Sequence, residues 1–279
     1  MTARDHELDA RRRYIPDAPW FLVLAIALIA LLIPMIAGRQ TADFSAALLP
    51  PSTSNLLGTD HSGYDMLVRT AEGLRISLQI AALCAVIACA LGVVIGVASA
   101  AAGGWFDAVV MRTVDTVNAL PHLVLGIVIA ALWRGEPLAV VASISLTHWP
   151  SVARIVRAEV LATANSGWVR TSRLAGASRW FVAHRHLAPS VGGQILVAMA
   201  MLIPHAIWHE STLSFLGVGL SPDRASLGTL LGQARGDVML GAWWTLAVPA
   251  TALVVTALAF TLGLSMLRRR LTPPGGSVW

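Results

Sequence analysis

The 279-residue sequence contains no lysine: all 20 of its basic residues are arginine. A phosphate-binding loop of the Walker A type needs a Gly-Lys-Ser/Thr step to hold nucleotide phosphates. This chain has none, so if ATP drives the protein, another chain hydrolyses it. Charge of either sign is scarce. Charged residues make up 13% against 56% hydrophobic, with a mean hydropathy of +0.69, whereas soluble domains carry about a quarter charged residues. The composition is that of an integral membrane protein. Cysteine is limited to Cys84 and Cys89, both inside an apolar run, where they read as small packing residues and not as a disulfide or metal clip. The polar residues within the apolar runs are few and show no nucleophile with a matching base, which argues against a membrane enzyme. A stand-alone secondary transporter is disfavoured because there is no evident inverted repeat of broken helices and no carboxylate in mid-span.

What is present is helix of membrane length, which takes about 20 apolar residues per crossing. Six uncharged runs qualify: Trp20 to Ala37, Ile76 to Ala102, Thr116 to Trp133, Pro137 to Ala153, Leu187 to His209 and Val238 to Leu267. The first follows Arg11, Arg12 and Arg13, as a cleaved signal peptide would, but its length and the lack of a close Ala-x-Ala site favour a retained span. In the second, Gly92 and Gly96 stand four apart, a spacing that lets helices approach closely. Pro121 and Pro150 predict kinks in the third and fourth. The expected architecture is an all-α membrane domain of six spans over 20–267, flanked by tails at 1–19 and 268–279.

Arginines orient these spans. With the N-terminus in the cytoplasm, Arg4, Arg11 to Arg13, Arg112, Arg154, Arg157, Arg170, Arg173, Arg179, Arg185 and Arg268 to Arg270 fall inside, fourteen in all, against Arg39, Arg69, Arg75, Arg134, Arg224 and Arg235 outside. The positive-inside rule then makes both termini cytoplasmic. Residues Gly38 to Arg75, Arg134 to Glu136 and Glu210 to Asp237 become the outer segments.

On the inner side lies a short basic polar island, Gly167 to Pro189, reading GWVRTSRLAGASRWFVAHRHLAP. Trp168, Leu174, Trp180 and Phe181 alternate with Arg170, Arg173, Arg179 and Arg185 at helical spacing, giving one apolar and one cationic face. Gly176, which lacks Cβ, permits a sharp turn, and a second short helix is expected as far as Pro189. The plain alternative is an amphipathic helix lying on lipid headgroups.

The island resembles the cytoplasmic loop of the membrane subunits of bacterial ABC importers, which reads E-A-A, three residues, Gly, and Pro thirteen residues on. Gly176 and Pro189 keep that spacing, while Arg170, Thr171 and Ser172 replace the opening triplet. Other stretches resemble the dipeptide, oligopeptide and nickel importer permeases: LGTDHSGYDMLVR at Leu57 to Arg69, with Tyr64 where that family has Arg; MRTVDTVNALP at Met111 to Pro121; ARIVRAEVL at Ala153 to Leu161; and ESTLSFLGVGLSP at Glu210 to Pro222. The resemblance implies a type I importer permease fold, a coupling loop at about 163–189, and the role of the family's second permease subunit. It further implies a second permease as heterodimer partner, two cytoplasmic ATPases that bind the ATP, an extracytoplasmic binding protein and a bacterial inner-membrane location. No nucleic acid and no cofactor in this chain are expected. Trp168, Leu174, Trp180 and Phe181 would enter the ATPase groove, and the arginines would meet its acidic rim.

Four histidines, His122, His148, His205 and His209, lie in or at the edges of spans. His205 and His209 share one helix face, and paired imidazoles suit nickel, zinc or copper. The order HAIWHE is not that of a zinc hydrolase. Intramembrane ionisable groups usually face a bundle interior or pathway, so these four are candidates to line the substrate path, with His205 and His209 as transient metal ligands. The alternative is that each is a neutral packing residue. SRLAGAS at Ser172 to Ser178, LTHWPSVARIVR at Leu146 to Arg157 and the His205, His209 pair resemble the nickel-type branch. This implies transition-metal cargo, nickel free or chelated, with dipeptides or oligopeptides as the alternative.

Overall fold

The computed structural model describes residues 18–38 and 40–271. The expected tails at 1–19 and 268–279 fall outside the described residues except for 18–19 and 268–271, and Arg4, Arg11, Arg12, Arg13 and Arg39 lie outside them too. The described chain is helical: α1 (Ala18–Ala37), α2 (Met66–Ala102), α3 (Gly104–Ala119), α4 (His122–Ala131), α5 (Pro137–Ala164), α6 (Gly167–Leu174), α7 (Arg179–Val182), α8 (Gly192–Phe215), α9 (Leu227–Met239) and α10 (Trp244–Leu271). A π-helical turn, Ala183–Leu187, and a short turn, Ala188–Ser190, join α7 to α8. Among the described residues α1, α2, α5 and α10 are each long and apolar enough to cross a membrane, and the candidates number six if each of two bent helix pairs, α3 with α4 and Trp180–Leu187 with α8, counts as one span.

Several boundaries differ from expectation, each for a local reason. α2 starts at Met66 and not near Ile76, because the Asp65 carboxylate accepts the Leu67 and Val68 amides at 2.8 and 3.2 Å and caps the helix there. Its 37 residues extend about 55 Å, well past a hydrocarbon core of about 30 Å. The third span is broken, not kinked. Leu120 is extended ahead of Pro121, as a residue before proline prefers, and α3 meets α4 at 88°. α5, by contrast, continues through Pro150 to Ala164. The helix entering the fifth span does not stop at Pro189, which lies within the turn Ala188–Ser190, and α8 runs on past His209 to Phe215. The expected sixth run divides: Val238 and Met239 end α9, and the span itself is Trp244–Leu271. Most of α9 falls in the expected outer segment Glu210 to Asp237, for which the sequence suggested no helix. α9 is a capped helix, with Ser226 and Thr229 bonding reciprocally across its first turn.

The central packing is α2 along α5. A Cβ on Gly92 would come within 2.5 Å of Val152 Cβ, and one on Gly96 within 2.6 Å of the Ala153 carbonyl. The spacing seen in the sequence therefore marks a real close approach. Around this seam lies the main core, including Ala81, Cys84, Val140, Ile144, Ile207, Leu213 and Leu227. A second core, Cys89, Val152, Val156, Val160, Val169, Val182, Leu187 and Val191, joins the seam to the island. Cys84 and Cys89 are buried packing residues.

At the end of α2 opposite the island, Arg134 donates to the Gly217 carbonyl at 2.9 Å and Arg235 to that of Phe215 at 2.8 Å. Arg69, Arg75 and Arg224 line one cavity there. Arg154 and Arg157, by contrast, pair with Asp115 and Asp107 of α3 on the approach to the island. Gly92→Val should lower the apparent melting temperature of the purified protein in detergent, at an overpacking cost of about 1–3 kcal/mol. Unchanged melting would contradict the tight α2 and α5 seam.

Candidate functional site

The island begins with α6, turns at Gly176 and returns through α7. Gly176 has φ +90°, a left-handed conformation that costs a side-chain-bearing residue about 1–2 kcal/mol. Nothing lies within 4 Å of where its Cβ would be. The requirement for glycine is therefore backbone conformation and not space. One face of the island is anchored: Val169, Val182, Leu187 and Val191 are buried against Val156 and Val160 of α5. The opposite face leaves Trp168, Leu174, Trp180 and Phe181 exposed, with Leu174 at 89% and Trp180 at 79%. Arg170, Arg173 and Arg185 are exposed beside them, as is Pro189. His186 ties the two arms together. Its Nε2 is hydrogen-bonded to Ser172 Oγ at 3.2 Å, and its ring packs edge-on against Trp168 and Phe181 at 5.1 and 5.7 Å.

Just before the island, α5 is braced against α3. Arg157 grips Asp107 with Nε and a terminal nitrogen at 2.6 and 2.5 Å, and Ser99 donates to the same carboxylate at 2.5 Å. Arg154 reaches Asp115 at 2.5 Å. Asp107 and its pairing went unnoticed because 50 residues separate it from Arg157.

The four membrane histidines converge. Rings of His148 and His209 are 4.9 Å apart, His148 and His205 5.1 Å, His205 and His209 5.0 Å, and His122 and His148 5.4 Å. One ligand nitrogen from each of His148, His205 and His209 falls within 4.8 Å of the other two. The i, i+4 pair on α8 was legible in the sequence. Its third member on α5 was visible only as an isolated polar residue in an apolar run. His148 and His209 are buried and His205 is exposed. Beside them, Glu210, toward the C-terminal end of α8 and not in mid-span, is fully buried and accepts hydrogen bonds from Ser77 at 2.7 Å and Ser214 at 2.9 Å.

A bundle of four to six candidate crossings with an attached helical island defines a multi-pass membrane component with an exposed surface on that island. Residues 92–273 match the family described as binding-protein-dependent transport system inner membrane components. Relatives align along nearly the whole chain. The dipeptide transport system permease protein of Haemophilus influenzae is 34% identical over 259 residues, covering 90% of this chain and 88% of the relative. That of Bacillus subtilis is 32% identical over 254 residues, covering 90% and 79%. The oligopeptide transport system permease protein of Escherichia coli is 32% identical over 273 residues, covering 95% and 90%. The chain belongs to this family of ABC importer permeases and is an inner-membrane transport subunit, not an enzyme. Its ATPase resides on separate subunits. The relatives carry peptide names, which back the peptide alternative over the nickel-type branch to which SRLAGAS and LTHWPSVARIVR were matched.

Arg157→Gln removes a bidentate partner from Asp107 and should cost about 1–3 kcal/mol of stability. In combination with Asp107→Asn, the loss should be smaller than the sum of the two single losses. Additive melting shifts would show that the two residues do not act as a clamp.

Proposed function

We propose that this chain forms half of the translocation path of an importer for dipeptides or oligopeptides, and that its island is where one cytoplasmic ATPase docks. One observation carries the docking assignment. A helix, turn, helix element is fixed to the bundle through Val169 and Val182 while presenting Trp168, Leu174, Trp180 and Phe181 outward among exposed arginines. A headgroup-bound helix would not need a glycine-set return or an anchored inner face. The arginine distribution supports a cytoplasmic island and cytoplasmic termini. The peptide assignment is supported by the names of the relatives.

In the mechanism we assign, a second permease completes the path, two ATPases bind the ATP, and a binding protein delivers cargo at the opposite end. When the ATPases close, they draw the island toward its counterpart. α5 leads directly into α6, and α7 continues through the π-helical turn into α8. The pull therefore reaches two spans at once, and the bundles reorient as rigid bodies. The Asp107 and Arg157 contact carries the same motion to α3.

Gly176→Val places a β-branched residue at φ +90° and should cut ATP-dependent uptake of a labelled dipeptide at least about tenfold, since about 1.4 kcal/mol is a factor of ten. The variant should remain in the membrane and the ATPases should go on hydrolysing ATP. Uptake at the normal rate would remove the island from its assigned role. The chain purified alone should hydrolyse no ATP and should gain activity only with its partner subunits. Hydrolysis by the isolated chain would overturn the division of labour.

A further inference from the structure

We infer that His148, His205 and His209 form a coordination site for a borderline divalent transition-metal ion within the membrane domain, open on the side of His205. The inference stands whether or not the cargo is a peptide. It starts from the state of His148. Its Nδ1 lies 2.7 Å from the Ile144 carbonyl, and a carbonyl can only accept, so Nδ1 carries the proton and Nε2 holds a free lone pair. That Nε2 is buried and has no hydrogen-bond partner among the described residues; the side chain is 5% exposed. Leaving such an acceptor unpaired costs about 1–3 kcal/mol, whereas a ring held by a carbonyl through one nitrogen and offering the other is the arrangement of a metal-binding histidine.

The second observation is convergence. The three ligand nitrogens lie within 4.8 Å of one another. Donors on a tetrahedral ion with bonds of about 2.1 Å stand roughly 3.4 Å apart, so small ring rotations would close the set. His122, 5.4 Å from His148 and with its own buried unpartnered Nε2, stands next to the triad. The buried Nε2 atoms of His148 and His122 thus contrast with the carboxylate of Glu210, which is hydrogen-bonded by Ser77 and Ser214.

Donor chemistry selects the ion. Three neutral imidazoles suit zinc, cobalt, nickel or copper, while magnesium and calcium require oxygen ligands. The nearby carboxylate of Glu210 is engaged by Ser77 and Ser214. Because His205 is exposed, the remaining positions of the ion can hold water or the donor atoms of a small chelating peptide. The ion can thus arrive free or complexed.

The test uses the assembled importer in nanodiscs, titrated with Co2+ and followed by its visible spectrum and X-ray absorption. Micromolar binding through nitrogen ligands, undisturbed by a large excess of Mg2+, is expected. His148→Gln should weaken it at least about tenfold. No micromolar binding, ligation by oxygen alone, or equal affinity in the His148→Gln, His205→Gln, His209→Gln triple variant would overturn the site. The measurement on the unaltered complex decides the matter if a variant does not assemble. Uptake of Zn2+, supplied free or bound to a histidine-containing tripeptide, distinguishes the two sources. Histidine-dependent uptake of either form supports the site, and histidine-independent uptake of both overturns it. Failure of a metal-free dipeptide to be taken up would count against the peptide assignment alone.

Discussion

The contact on which the rest of this protein depends is the approach of α2 to α5. Lipid tails are as apolar as leucine, so helices in a membrane gain little from hiding hydrophobic surface and must gain from close packing instead. Gly92 and Gly96 provide that closeness by removing side chains where Val152, Ala153 and Val156 need the space. α5 is thereby held in place, and α5 carries much of what the proposed roles rest on. His148 lies near its middle, Arg154 and Arg157 brace it against α3, and Val156 and Val160 form the bed on which the island rests. One seam positions both the proposed docking surface and the histidine cluster.

The apolar runs of the long spans could be read from the sequence because the membrane imposes a length and a composition on every crossing. The elements that escaped were those where another force prevails. α9 is held by its capping box and by packing on α8, where a Cβ on Gly228 would approach the Ser211 carbonyl to 2.5 Å. Hydropathy has no access to either. The break at Pro121 was expected as a kink, since a proline reveals the lost hydrogen bond but not the angle that follows. The start of α2 depended on Asp65, which in the sequence stood inside a glycine-containing loop.

The island and the cluster differ in how far they could be read. The exposed residues of the island follow from spacing over a few turns, and Gly176 was identifiable because a return of chain direction needs a residue free to take positive φ. The inner face was not identified, since Val169 and Val182 look like any apolar residue until α5 lies beneath them. For the histidines, helical periodicity joins His205 to His209. No periodicity connects either to His148, which comes from another helix.

The polar groups buried in the bundle divide into two kinds, and the division separates a satisfied structural network from the proposed metal site. Glu210 is wholly buried, yet Ser77 from α2 and Ser214 from its own helix donate to it, and Ser77 Oγ in turn accepts the Leu227 amide at 3.2 Å. This network pins α2, α8 and α9 together, and with its carboxylate satisfied it has little capacity left for a ligand. One residue earlier in the chain, His209 points into the histidine cluster, where acceptor nitrogens on His148 and His122 have no hydrogen-bond partner among the described residues. In a low-dielectric interior an unpaired acceptor is costly in proportion to its burial. That cost is avoided when something with an empty orbital or a proton occupies the space between the rings. Neighbouring positions on α8 therefore serve opposite ends: Glu210 closes a structural network, and His209 helps to leave one open.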